Sequence, residues 1–145
     1  MIRVEVFNAH RRRIRRRAVT AAVRRVARGE RRRRGAFSVV FQGDRATAAM
    51  NRRYLGHAGS TDVISFSLGE GTAVEGEVYV NLDRARAQAR AYRVGFGEEV
   101  CRLVVHGTLH LLGEDDRTAA ARRRMKRKED AYVALLARAG TGRWV

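Results

Sequence analysis

His106 and His110 stand four residues apart in the run Leu103-Val104-Val105-His106-Gly107-Thr108-Leu109-His110-Leu111-Leu112. On a helix that spacing puts both imidazoles on one face, one turn apart. The surrounding residues are apolar around nearly the whole circumference, so the helix is read as buried, and two buried imidazoles need partners. A shared divalent cation supplies them; bonds to backbone or carboxylate groups would satisfy the same requirement. Gly113 is a natural helix stop. Past it, Glu114, Asp115 and Asp116 offer three carboxylates within reach of the rings, enough for a third ligand that leaves one coordination position open for water. Such an ion acts as a Lewis acid and lowers the pKa of bound water to about 7. Glu follows the first His in the zinc-protease motif and serves as general base. Here that place is Gly107, which argues against peptide hydrolysis by that route. Asp115, Glu114 and Asp62 are the candidate general bases. His57 is placed in a loop that could border the cleft or lie on the surface, Cys101 is read as core rather than ligand, and His10 has no chemical case.

These side chains need a frame. Residues 2–7 alternate Ile2, Val4 and Val6 with Arg3, Glu5 and Phe7, the period of a strand. Residues 11–28 carry Ile14, Ala18, Ala21, Ala22 and Val26 at helical spacing, with arginines outward, and the run 31–34 is a solvated arginine loop. A second strand covers 36–41. Asp44 is the expected N-cap of a helix over 45–54 that turns Ala46, Ala49, Met50 and Tyr54 inward and stops at Gly56. A third strand covers 61–67, a glycine-rich loop 69–76, a fourth strand 77–82, and a helix 83–94. The buried helix is predicted over 98–112. A last helix, 118–139, buries Ala121, Met125, Tyr132, Leu135 and Leu136 and ends at Gly140. The sum is an α/β (α+β) domain, residues 1–145, with a mixed four-stranded sheet, about five helices and the histidine helix at the centre.

The bulk composition narrows the setting. The chain has 145 residues, 45% of them hydrophobic, and one cysteine, which fits one domain in a reducing compartment and excludes an internal disulfide. No apolar run is long enough for a membrane span, and the amino terminus lacks the apolar segment of a signal peptide, so a cytoplasmic protein without membrane partners is expected. The formal net charge of +16 suits a polyanionic partner. Only Lys126 and Lys128 are lysines, and an arginine skew of this kind also arises from codon usage in a GC-rich genome. Charge by itself is silent about cleavage.

The run His106 to Gly113 resembles the H-G-x-L-H-L-x-G signature of the YbeY endoribonucleases. In that family the signature continues Tyr-Asp-His, its last His being the third zinc ligand; here those places read Glu114, Asp115 and Asp116. Asn51 to His57 followed by Thr61 to Phe66 is similar to the family's L-N-x-x-Y-R-G-x-D-x-x-T-D-V-L-S-F segment. Gly76 to Val80 resembles its G-D-I-x-I strand, Gln88-Ala89 the helix after it, and Met125 with Glu129 its M-x-x-x-E pattern. The resemblance implies a zinc-dependent endoribonuclease holding one ion through His106, His110 and Asp116, with Asp115 also at the catalytic centre. It implies action on single-stranded RNA in 16S rRNA 3′-end maturation and ribosome quality control. The implied partners are rRNA, the small ribosomal subunit, the GTPase Era and a small-subunit ribosomal protein. The family's arginine after the tyrosine is Leu55 here, so Arg52 and Arg53, with His57, are the expected substrate contacts. The competing reading is a non-catalytic RNA-binding assembly factor whose metal is structural.

Overall fold

The computed structural model describes residues 1–69, 73–139 and 143–145. Strands β1 (Ile2–Asn8), β2 (Gly35–Gln42), β3 (Val63–Ser67) and β4 (Val74–Asn81) form one sheet in the order β1-β2-β4-β3. β1 runs parallel to β2 and β2 to β4, whereas β3 is antiparallel to β4. Parallel neighbours require a long crossover. Helix α1 (Arg16–Gly29) supplies the first, and helix α2 (Asp44–Leu55) together with β3 the second. Helices α3 (Leu82–Tyr92), α4 (Phe96–Leu111) and α5 (Ala119–Arg138) follow.

One face of the sheet is dry. Ile2, Val6, Phe37, Val39, Phe41, Val78 and Val80 alternate along their strands onto that face, where α1 and α4 pack. α4 meets the sheet, α1, α3 and α5, which makes it the central helix the apolar circumference of its sequence predicted. Two glycines let it approach closely. A Cβ at Gly107 would stand 2.4 Å from Val78 Cγ1, and one at Gly76 would stand 2.5 Å from Leu111 Cδ2. Ser65 Oγ donates to the Gly107 carbonyl at 3.1 Å and ties β3 to the same turn. Position 107 faces the sheet, against Val78, Ser65 and Val63.

Several boundaries and faces differ from the sequence reading. α1 begins at Arg16, not 11, since residues 11–15 are irregular. β4 begins at Val74, inside the segment assigned to the glycine-rich loop; residues 70–72 of that loop, like Gly140, fall outside the described residues. α2 turns Thr47 and Asn51 inward, and Ala46, Ala49 and Tyr54 are exposed. The reason is polar. α2 lies over the other sheet face, where Gln42 donates to Thr47 at 3.1 Å and Asn51 Nδ2 donates to the Gly59 carbonyl at 3.0 Å. Asp44 is the first helical residue rather than the cap, and its N–H is capped across the fold by Asp83 Oδ2 at 2.9 Å. Gly56 and Gly113 stop α2 and α4 as expected, with φ of 67° and 101°.

Candidate metal centre

α4 delivers two imidazoles to the rim of the sheet at the end where β3 begins. His106 Nε2 and His110 Nε2 face each other at 3.0 Å. The chain turns at Gly113 and returns, bringing Asp116 Oδ2 to 3.8 Å from His110 Nε2. All three ligand atoms lie within 4.8 Å of one another. Two nitrogens bound tetrahedrally at about 2.05 Å from one ion stand about 3.3 Å apart. The observed spacing is close to that, and Asp116, on an exposed loop, needs only a small swing to complete the set. The donor set therefore fits a divalent cation with a solvent position to spare.

α5 contributes a residue whose place at the centre the spacing of the sequence did not predict. Glu129, 12% exposed in its side chain, accepts from His106 Nδ1 at 2.5 Å. With its proton on Nδ1, His106 would offer the Nε2 lone pair to an ion, the usual arrangement for a ligating histidine. A signal was present. Glu129 sits with Met125, Tyr132 and Leu136 on the buried stripe of α5, where an acid requires a partner. Arg102 completes the contact, 3.5 Å from Glu129 and 2.7 Å from Asp130.

The two imidazoles differ electrostatically. Burial works against a charged ring at His106, but the hydrogen bond and charge of Glu129 outweigh it, helped by Asp62 and Asp116, and the pKa is raised. At His110 burial, and then the neighbouring His106, lower it. Burial also pushes the Cys101 thiol up to about 12, so it is an inert core residue.

The centre opens into a cleft of about 680 Å³ whose wall includes Asn51, Leu55, His57, Asp62, His106 and Asp116. His57 and Asp62 thus border the cleft, and so does Leu55. Arg52 and Arg53 are exposed on α2 and do not line it; Arg53 lies over the Tyr54 ring, 5.4 Å from its centroid. Asp115 turns away from the ligand group, its Oδ1 accepting from the Arg117 N–H at 3.1 Å. Glu114 is engaged elsewhere, at 2.6 Å from Lys128 Nζ and 3.3 Å from Arg124 Nε. That removes it as a general base and makes it an anchor for the loop that carries Asp116. His10 is 2.9 Å from Asp83, in the network that caps α2.

Asp62 is held from behind. Asn81, fully buried, donates from its backbone N–H to the Asp62 carbonyl at 2.8 Å and from Nδ2 to the Thr61 carbonyl at 3.0 Å, while its Oδ1 caps α3. The cleft wall is therefore locked to the sheet.

A mixed sheet with two histidines on a central helix and a carboxylate just beyond it defines a hydrolase-type metal centre. Residues 5–137 match the Endoribonuclease YbeY family, and the chain belongs to that family. Among its relatives, the Endoribonuclease YbeY of Chlorobium phaeovibrioides is 37% identical over 133 residues, covering 92% of this chain and 90% of the relative. That of Chlorobium luteolum is 38% identical over 137 residues, covering 94% and 100%. The solution structure of TM1509 from Thermotoga maritima shares the fold with a TM-score of 0.65 at 21% identity, over 92% of this chain and 88% of that one. No helix among the described residues is long and apolar enough to cross a membrane.

Proposed function

We propose that this chain is a metal-dependent endoribonuclease that cleaves single-stranded RNA during ribosomal RNA maturation, with zinc held by His106, His110 and Asp116. The observation that carries the reading is the apposition of two imidazole Nε2 atoms at 3.0 Å, with a carboxylate 3.8 Å away, on the wall of an open cleft. When bound, the ion supplies Lewis-acid activation of a phosphate oxygen or of water. The protein's own groups do the rest. Glu129 fixes the ring of His106 and its tautomer. Asp62, on the cleft wall and locked by Asn81, accepts the proton of the attacking water or ribose 2′-OH. His57 contacts substrate in the cleft, and Arg52 and Arg53 contact phosphates beyond its edge. Asp115 shapes the loop through its bond to Arg117. Family membership supports 16S rRNA 3′-end trimming and quality control on the small subunit, beside Era and a small-subunit ribosomal protein. The lone buried cysteine supports a cytoplasmic setting.

A second reading, a non-catalytic assembly factor with a structural metal, is favoured by one observation: Leu55 lines the cleft at the place of the family's arginine. Purified protein offered single-stranded rRNA fragments decides between them. Cleavage that chelator abolishes and His110→Ala removes supports the nuclease; RNA binding without cleavage under any divalent ion supports the assembly factor.

A further inference from the structure

Beyond the metal centre the cleft continues. A second lobe of about 310 Å³ shares Asp62, His106 and Asp116 with the first and extends between α3, α4 and α5. A strand lying across the ion leaves the first lobe by entering this one. The volume is at the lower end of small-ligand pockets, which suits one nucleotide rather than several.

The lining separates charge. Its inner wall is acidic: Glu99, 2% exposed, is held by Gln88 Nε2 at 2.8 Å, next to Asp62 and Glu129. A phosphate is repelled there, whereas a base edge finds hydrogen-bonding groups. The cations capable of meeting a phosphate are Arg122 and Lys126, one turn apart on the exposed side of α5. Arg122 is oriented by a bond from Nη1 to the Asp116 carbonyl at 3.3 Å, and the Lys126 ammonium is 3.8 Å from Asp130. Arg102 is committed to Asp130 and Glu129 and is not free for this task. Opposite stands Tyr92, at the end of α3, 64% exposed and with no ring contact or side-chain hydrogen bond among the described residues. A large aromatic side chain left open at the mouth of a polar lobe is a stacking platform for a base.

We propose that the second lobe is a nucleotide subsite, in which a base of single-stranded RNA stacks on Tyr92 while its phosphate lies between Arg122 and Lys126. The subsite rests on the nuclease reading for its substrate and adds to it where the strand goes after the scissile bond. It predicts a length threshold, since RNA too short to span from the first lobe into the second gains nothing from Tyr92.

The test is fluorescence anisotropy of labelled oligoadenylates of increasing length, binding the intact protein in chelator so that no cleavage intervenes. Tyr92→Ala should weaken the longest oligomer about tenfold and leave the shortest unchanged, while Tyr92→Phe binds like the parent. Replacing Arg122 and Lys126 by glutamine should reduce the slope of log Kd against log salt by about 0.7, the contribution of the one single-strand phosphate they share. Circular dichroism and Tm should match the parent for these exposed positions. The subsite is overturned if Tyr92→Ala binds every length like the parent, if Tyr92→Phe is as weak as Tyr92→Ala, or if the parent binds no oligomer. Cleavage in added zinc is scored separately. A parent that cleaves while Tyr92→Ala binds unchanged sinks the subsite alone; a parent that cleaves nothing, yet loses affinity on Tyr92→Ala, sinks the nuclease alone.

Discussion

Glu129 reaches from α5 to the back of His106, and its worth is measurable. Glu129→Gln keeps the size of the side chain and an acceptor oxygen but removes the charge. Loss of such an outer partner typically costs about 10- to 100-fold in metal affinity, and a competition titration against a chromogenic chelator should read a change of that order. The two aspartates after Gly113 are separated by the same assay. Asp116→Ala should abolish stoichiometric binding, Asp116→His should restore it because imidazole is an equivalent donor, and Asp115→Ala should bind like the parent. Equal losses from Asp115→Ala and Asp116→Ala would contradict the geometry. At this scale much was legible in the sequence. Two histidines one turn apart, a glycine stop and a following acid are local features, and local features survive folding. The role of Glu129 depends on contact between residues 23 apart; its place on an apolar stripe and in the M-x-x-x-E pattern marked the residue but not its partner. Arg52 and Arg53 neighbour Leu55 in sequence and are exposed on the same helix, but neither lines the cleft that Leu55 lines.

The element that matters most is α4, and its fit against the sheet is sharp. Gly107→Ala introduces a methyl group 2.4 Å from Val78 Cγ1, a stiff β-branched side chain in the core, with Ser65 and Val63 closing the other sides at 3.2 Å. Overpacking of this kind costs about 1–3 kcal/mol, and urea unfolding should show it as a lower midpoint at unchanged slope. The position that would hold a base in a zinc protease is here a packing contact, a physical reason for the glycine that sequence alone could not supply. α2 teaches the reverse. Its alanines read as an inward face by periodicity, yet the helix lies over the sheet on Thr47 and Asn51, because polar partners at Gln42 and Gly59 waited there. Periodicity ranks faces by hydrophobicity and is blind to a polar docking surface. The strand starts moved for a similar reason: Val74 and Glu75 look like loop beside so many glycines, but their ladder with Gly35 and Ala36 extends β4.

At the scale of the whole molecule, an ion held at the proposed centre would be linked to the fold. A cation bound only by the folded chain stabilises it by about 2.7 kcal/mol at one hundred times Kd. Scanning calorimetry should therefore show Tm rising with zinc concentration in the parent and holding still in His110→Ala. A flat response in the parent would mean the three side chains do not bind the ion in solution. The net charge of +16 is spread over the surface, and within the cleft the described lining of the first lobe carries no arginine or lysine. The charge thus favours long-range attraction of polyanions, while the ionisable groups lining the first lobe are histidines and aspartates.

Both imidazoles stand on the helix that touches the sheet and three other helices, whereas Asp116 stands on an exposed turn. In deuterated solvent these parts keep different clocks. Amide protons of Val104, Val105 and Thr108 should be released only when the entire domain opens, and those of Asp116 and Arg117 in brief local excursions. In the proposed centre Asp116 is therefore the donor on the faster clock, and the two imidazoles are the donors carried by backbone that opens last.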